Sequence, residues 1–92
     1  MKDAMVNFMK DAIMVSQVRA ARALLDWSRE ELGRQAGTTE RTIARVELAE
    51  GPVRRGTLDA IRAALEAAGV VFLSDGEIAG GGPGVRLKGG AE

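Results

Sequence analysis

The sequence predicts a mainly α-helical fold: a bundle of four helices with an N-terminal helical extension and a short C-terminal β-ribbon. Two observations lead to this prediction. Residues 28–47 have the pattern of two short helices around a glycine, and apolar residues recur at helical spacing on both sides of them. After residue 69 the pattern changes to a β-rich run followed by glycines. We therefore divide the chain into an extension (1–15), a helical domain (16–69) and a C-terminal segment (70–92).

The extension carries apolar residues spaced by three and four, as on one face of a helix. They are Met5, Phe8, Met9, Ala12 and Ile13. A stripe of methionine and phenylalanine suits contact with a partner or with a second copy of the chain. Two other interpretations stay open: a frayed segment, or an upstream start codon with Met14 as the true first residue.

The first helix of the domain is predicted over residues 16–25, with Ser16 as its N-cap. Apolar residues at helical spacing form one stripe along it. The residues of this stripe are Val18, Ala21, Leu24 and Leu25. We expect all four to lie in the core.

The second helix is predicted to begin with a capping box. The hydroxyl of Ser28 is placed to accept a hydrogen bond from the amide of Glu31, whose carboxylate can reach back to the amide of Ser28. Trp27 before the cap and Leu32 inside the helix are placed to form a hydrophobic staple. Gly37 ends the helix, because glycine enters the left-handed conformation without a Cβ penalty.

The third helix begins at an N-cap threonine, Thr39. Two helices so short and so close must cross, which is the geometry of a helix-turn-helix. The polar side of the third helix carries residue types that read base edges or hold phosphates, namely Glu40, Arg41, Thr42 and Arg45. Arg41 and Arg45 are one turn apart and share a face. This pattern indicates a DNA-binding protein, and the alternative is a solvated stripe on an exposed helix.

The fourth helix is predicted over residues 58–68, after a loop at 50–56 that contains a Gly–Pro step. Thr57 is placed as its N-cap, and Gly69 as its C-terminal stop. Its inward residues are expected to be Leu58, Ile61, Ala64, Leu65 and Ala68.

The C-terminal segment is predicted to form two short strands. VVFL at 70–73 is rich in β-formers, and VRLK at 85–88 alternates apolar and basic residues as a half-exposed strand does. An isolated two-stranded ribbon is marginal in water. Either it packs on the helices, or it pairs with the same ribbon of a second copy.

Composition excludes several classes of function. The 92 residues include no cysteine, histidine or tyrosine, which removes disulfides, thiolate chemistry, the usual general base and the commonest transition-metal ligand. We expect no enzyme activity, no cofactor and no metal site. The net charge is zero, although residues 16–56 hold eight arginines against six acids. Neither a membrane span nor a secretory signal is visible, so a cytoplasmic location is expected.

From residue 18 to about residue 70 the sequence resembles the lambda-repressor-like, or Xre, helix-turn-helix family. The resemblance rests on core residues and on glycines at the turn and the helix crossing, namely Leu32, Gly33, Ala36, Gly37, Ile43 and Val46. Relatives usually have alanine where this chain has Gly33, and more often valine where it has Thr38. Many relatives continue into a fifth helix where this chain turns to VVFL, so the family's dimer contact is not carried over.

The resemblance implies roles for individual residues. Ser28 and Arg29 would meet the phosphate backbone. The base edges and the groove would be contacted by Thr39, Glu40, Arg41, Thr42 and Arg45. Arg54 and Arg55, in the loop after the recognition helix, are expected to anchor phosphates. The scaffold would include an Arg22–Glu47 salt bridge and the residues Trp27, Leu32, Gly33, Gly37, Ile43 and Val46.

The function predicted is that of a sequence-specific, double-stranded DNA-binding transcriptional regulator. A homodimer on an inverted repeat is expected, because a single module of this size buries too little surface for tight specific binding. The alternative is an antitoxin or anti-activator whose terminal segments bind a protein partner and whose helix-turn-helix autoregulates its own promoter.

Overall fold

A computed structural model describes residues 13, 15–73 and 81–89 of the chain. Within these residues, four helices are followed by two strands: α1 (Val15–Leu25), α2 (Arg29–Ala36), α3 (Glu40–Glu47), α4 (Arg55–Ala67), β1 (Val70–Leu73) and β2 (Gly84–Leu87). This architecture confirms the predicted helical bundle with a C-terminal ribbon. The helix predicted for the extension falls outside the described residues, apart from Ile13 and Val15. Across the described ranges, none of the helices combines the length and apolar character that a membrane span requires.

One apolar core joins the four helices and the ribbon. Its buried members are Ile13, Val18, Ala21, Leu32, Ile43, Val46, Ile61, Leu65 and Val70. Full burial of one large aliphatic side chain contributes roughly 1.5–3 kcal/mol. One core prediction was wrong: Leu24 is 43% exposed. Val18, Ala21 and Leu25 already fill the inward stripe of α1, and Leu24 lies about 100° around the helix from Leu25.

Two helices begin earlier than predicted. Ser16 lies within α1, so it is not the N-cap. Thr57 likewise lies within α4, which starts at Arg55 with Arg54 at the N-cap position and no side-chain capping bond. An ion pair between Arg55 and Asp59 spans the added turn. A threonine cap is a preference of about 1 kcal/mol, which other interactions can outweigh.

The start of α2 agrees in part with the predicted capping box. The Ser28 hydroxyl accepts a hydrogen bond from the amide of Glu31 at 3.0 Å, as predicted. The carboxylate of Glu31 is instead hydrogen-bonded by the side chains of Arg34 and Gln35, so only half of the capping box forms. Trp27 packs against the core that contains Leu32.

The turn between α2 and α3 is the predicted one. Gly37 has a φ of 74° in the left-handed region, and the amide of Thr38 donates to the carbonyl of Gly33 at 2.8 Å. Thr39 then caps α3, its hydroxyl accepting from the amide of Thr42 at 3.1 Å. The positions of Ser28, Gly37 and Thr39 in the sequence therefore determine where both helices stop and start.

The ribbon packs on the helices, the first of the two alternatives left open. The strands are antiparallel, and Val70, Phe72 and Val85 contact the core. The buried amide of Gln17 in α1 donates to the carbonyls of Leu73 and Gly84 at 3.1 and 3.0 Å, which ties the end of the ribbon to the bundle. The alternation predicted for the second strand is not observed. Burial instead falls along β2, from half-buried Gly84 and Val85 to exposed Arg86 and Leu87.

Candidate nucleic-acid interface

Helix α3 has an apolar inner face and a charged outer face. Ile43, Val46 and Glu47 are buried, whereas Glu40, Arg41 and Arg45 are exposed. Arg41 and Arg45 are four residues apart, so they stand one above the other on the outer face. The outer face of α3 therefore presents two cations in one row.

The two arginines of this row have no polar partner among the described residues. Neither Arg41 nor Arg45 makes a hydrogen bond or ion pair with any residue in the described part of the chain. A terminal nitrogen of Arg45 lies against Gly51, at 3.6 Å from the position that a Cβ would take there. Each guanidinium carries five N–H donors. This row can serve paired acceptors such as the O6 and N7 atoms of guanine, or phosphate oxygens.

Two threonine hydroxyls lie at the start of the same helix. The hydroxyl of Thr39 donates to that of Thr42 at 3.1 Å, besides accepting from the amide of Thr42. Both hydroxyls therefore take part in the cap of α3. Because the hydroxyl of Thr42 is an acceptor in this pair, its own proton stays available for an outside acceptor.

A cleft of about 430 Å³ opens between α3 and the loop that leads into α4. Its polar lining consists of Thr38, Thr42, Arg45, Arg54 and Thr57. Arginine and threonine side chains carry donors suited to an anionic group. The cleft thus extends the basic row of α3 towards the loop.

Arg54 and Arg55, predicted for the same role, occupy different surroundings. Arg54 lines the same cleft as Arg45. Arg55 is the first residue of α4, and its Nε lies 3.6 Å from Oδ2 of Asp59 one turn further on. The structure therefore places Arg54 with the residues of α3 and ties Arg55 to its own helix.

A buried carboxylate lies at the end of α3. Glu47 is 3% exposed and receives two hydrogen bonds from Arg22, Nε to Oε2 at 2.7 Å and Nη2 to Oε1 at 2.9 Å. Arg22 also donates to the carbonyl of Trp27 at 3.0 Å. The expected Arg22–Glu47 ion pair is therefore present. Arg29, expected only at phosphates, is a third member, with its Nε 3.0 Å from Oε1 of Glu47.

The charge state of this cluster follows from a balance of two effects. Burial alone would raise the pKa of Glu47, because desolvation disfavours the charged form. Hydrogen bonds from Arg22 and Arg29, and their charges, outweigh burial and hold the pKa of Glu47 below its ordinary value. The hydrogen bond to Glu47 in turn raises the pKa of Arg22. Glu47 and Arg22 are therefore both charged at neutral pH.

Sequence reasoning missed Gln17 and the contact between Arg29 and Glu47. A signal for Gln17 was present, since it lies four residues before Ala21 on the inward stripe of α1, where a polar residue needs a partner. No local pattern pairs Arg29 with Glu47, because the two lie eighteen residues apart on different helices.

The chemistry available on this surface is charge and hydrogen bonding. Within the described ranges, no three acidic side chains come together as metal ligands, and the sequence has no cysteine or histidine. What the surface offers is guanidinium and hydroxyl donors in a row and a cleft, an arrangement that fits a polyanion.

A comparison with protein families gives a match over the helical bundle. A family model described as helix-turn-helix matches residues 18–68, more than half of the chain. The matched range starts inside α1 and ends one residue after α4, so it covers the bundle and leaves out the ribbon. No curated protein matches the sequence.

Proposed function

Because the chain belongs to the Xre, or lambda-repressor-like, helix-turn-helix family of DNA-binding regulators, we propose that it regulates transcription by reading one double-stranded DNA sequence. The observation that carries this proposal is the pair Arg41 and Arg45 on the outer face of α3, neither of which has a partner among the described residues. In a helix-turn-helix the second helix lies in the major groove, where such side chains reach base edges.

We assign base reading to the outer face of α3. An arginine that makes two hydrogen bonds to guanine gives about 1–3 kcal/mol of discrimination against the wrong base. Arg41 and Arg45 are the residues for this role. The carboxylate of Glu40 can accept from the amino group of cytosine, and it repels a misplaced phosphate. Thr39 and Thr42, besides capping the helix, border the same groove.

Backbone anchoring belongs to the residues around this face. Arg54 in the cleft and Arg29 at the start of α2 supply the main phosphate contacts, with Ser28 and Arg55 at the margins. Such contacts set affinity and salt dependence but carry no sequence information. This division suits a chain whose net charge is zero, since only a few local cations do the anchoring.

We propose that two copies act together as a homodimer. Specific protein–DNA interfaces bury about 1,000–2,500 Å² of protein surface, which a domain with one eight-residue reading helix supplies best as a pair. An inverted repeat with half-sites about one helical turn apart follows from two-fold symmetry. The contact between copies would come from the ribbon or from the Met/Phe stripe of the extension. We propose that this regulator acts in the cytoplasm.

Selection of bound sequences from a pool of random duplexes tests the proposal directly. We expect enrichment of a symmetric site whose half-sites are separated by about ten base pairs. Enrichment of one half-site alone would contradict the homodimer. No enrichment over the starting pool would contradict sequence-specific reading altogether.

A further inference from the structure

The contact that holds Arg29 leaves part of its guanidinium unused. Its Nε donates to Oε1 of Glu47 at 3.0 Å, while its two terminal nitrogens make no hydrogen bond to any described residue. Its side chain is 34% exposed, whereas that of Glu47 is fully buried. The Nη1–Nη2 edge of Arg29 is therefore available to an outside acceptor, with the side chain fixed at its Nε.

Neither helix stability nor charge neutralisation accounts for an arginine at this place. Arg29 is the first residue of α2, directly after the cap Ser28, where a cation opposes the helix dipole. The charge of Glu47 is already matched by Arg22, which makes two hydrogen bonds to it. Arg29 is thus an additional partner of Glu47, and its Nη1–Nη2 edge makes no hydrogen bond to any described residue. This points to a role for Arg29 outside the scaffold.

We propose that Glu47 is a positioning residue. It holds the Nε of Arg29, so that the Nη1–Nη2 edge of Arg29 binds one DNA phosphate. The inference rests on the proposed function, and it explains why the phosphate-binding side chain of Arg29 has a fixed orientation. The two parallel donors of that edge match two oxygens of a phosphate. Because Arg29 is ordered before DNA arrives, binding loses less side-chain freedom.

The same contact links the backbone anchor to the reading helix. Glu47 is the last residue of α3, the helix that carries Arg41 and Arg45. A phosphate bound by Arg29 is therefore connected to α3, the helix that reads the bases, through the hydrogen bond between Arg29 and Glu47. This arrangement fixes the register of α3 in the groove as well as adding affinity.

A double-mutant cycle on DNA binding tests the proposal. The variants are Arg29→Ala, Glu47→Gln and the two combined, with Arg34→Ala as the control that removes an arginine of the same helix. The probe is a fluorescent random-sequence duplex of about 20 base pairs, because a phosphate contact is independent of sequence. Anisotropy at several salt concentrations gives the affinity and its salt slope for each variant.

We expect Arg29→Ala to weaken binding about tenfold and to lower the salt slope by about one, as loss of one phosphate contact does. Glu47→Gln should weaken binding about two- to tenfold in the wild-type background and change the affinity of Arg29→Ala by less than about twofold. Arg34→Ala should bind as the wild type does. An equal loss from Glu47→Gln in both backgrounds would show that Glu47 acts on the scaffold alone, and would overturn the proposal.

A second measurement decides the matter if circular dichroism shows that Glu47→Gln does not fold. In the wild-type protein, the Nε–Hε proton of Arg29 should exchange with water much more slowly than that of Arg41, which has no partner among the described residues. Its Nη resonances should then shift when the duplex is added. Equal exchange for the two arginines would refute the positioning role. A wild-type protein that binds no duplex would refute the proposed function as well.

Discussion

Gly33 and Thr39 are in contact where α2 crosses α3. A Cβ at Gly33 would lie 2.9 Å from the carbonyl carbon of Thr39 and 3.1 Å from the amide nitrogen of Glu40. Both neighbours are backbone atoms at the start of α3, so a larger residue could fit only if α3 moved. The absence of one methyl group thus sets the distance between α2 and α3.

Gly33→Ala is expected to destabilise the protein. Alanine gains up to about 1 kcal/mol of helix propensity, but overpacking against backbone costs about 1–3 kcal/mol. We expect a net loss of about 1 kcal/mol in urea unfolding, and weaker operator binding because α3 is displaced. The matched control is Gly56→Ala in the first turn of α4, where a Cβ would have no neighbour within 4 Å. This control should be stabilised by a few tenths of a kcal/mol or more. If Gly33→Ala were as stable as Gly56→Ala, the crossing would not be tight.

Arg45→Ala is expected to change sequence choice more than affinity for DNA in general. Loss of two hydrogen bonds to a base should cost about 1–3 kcal/mol on the selected operator and relax specificity at one position of each half-site. Binding to random duplexes should fall far less. Competition titrations with operator and random DNA measure the ratio. An equal loss on both would move Arg45 from base reading to phosphate anchoring, alongside Arg54 in the cleft.

The helix-turn-helix unit could be predicted almost residue by residue because its determinants are local. The hydroxyls of Ser28 and Thr39 accept from amides three residues ahead, and Gly37 adopts the left-handed conformation by itself. The flanking helices were less predictable, because their starts depend on packing as well as on caps. The early start of α4 had a consequence for the site. It made Arg55 helical and paired it with Asp59.

The contacts between distant residues could not be predicted. A sequence pattern shows that Gln17 is polar on an inward stripe, but not that its amide reaches carbonyls 56 and 67 residues away. The pattern likewise shows an arginine at residue 29, but not that Glu47 is its partner. Such pairings depend on how helices and strands are arranged in space. The candidate reading face was predictable for the opposite reason, since its residues lie on one helix.

Arg54→Ala and Arg55→Ala are expected to differ although the residues are neighbours. Arg54 lines the cleft next to Arg45, so its loss should weaken binding to all duplexes and lower the salt slope by about one. Arg55 is held by Asp59 on its own helix, so its loss should change the slope by less than half of that. Salt titrations of both variants on one random duplex give the comparison. Equal slopes would mean that the phosphate path does not follow the cleft.

Arg29→Ala should destabilise the protein in a pH-dependent way. The pKa of Glu47 is lowered in the folded state, so its ion pairs contribute stability above the pKa of the unfolded chain, and this contribution is lost as the pH falls through the folded pKa. Removing Arg29 takes away one hydrogen bond to a charged group, worth about 1.5–3 kcal/mol. Urea unfolding should therefore show the full difference from wild type near pH 7. The difference should shrink as the pH is lowered from about 4.5, because protonated Glu47 no longer forms an ion pair with Arg29. A difference that stayed constant down to pH of about 2 would mean that Arg29 stabilises the fold by packing and not through Glu47.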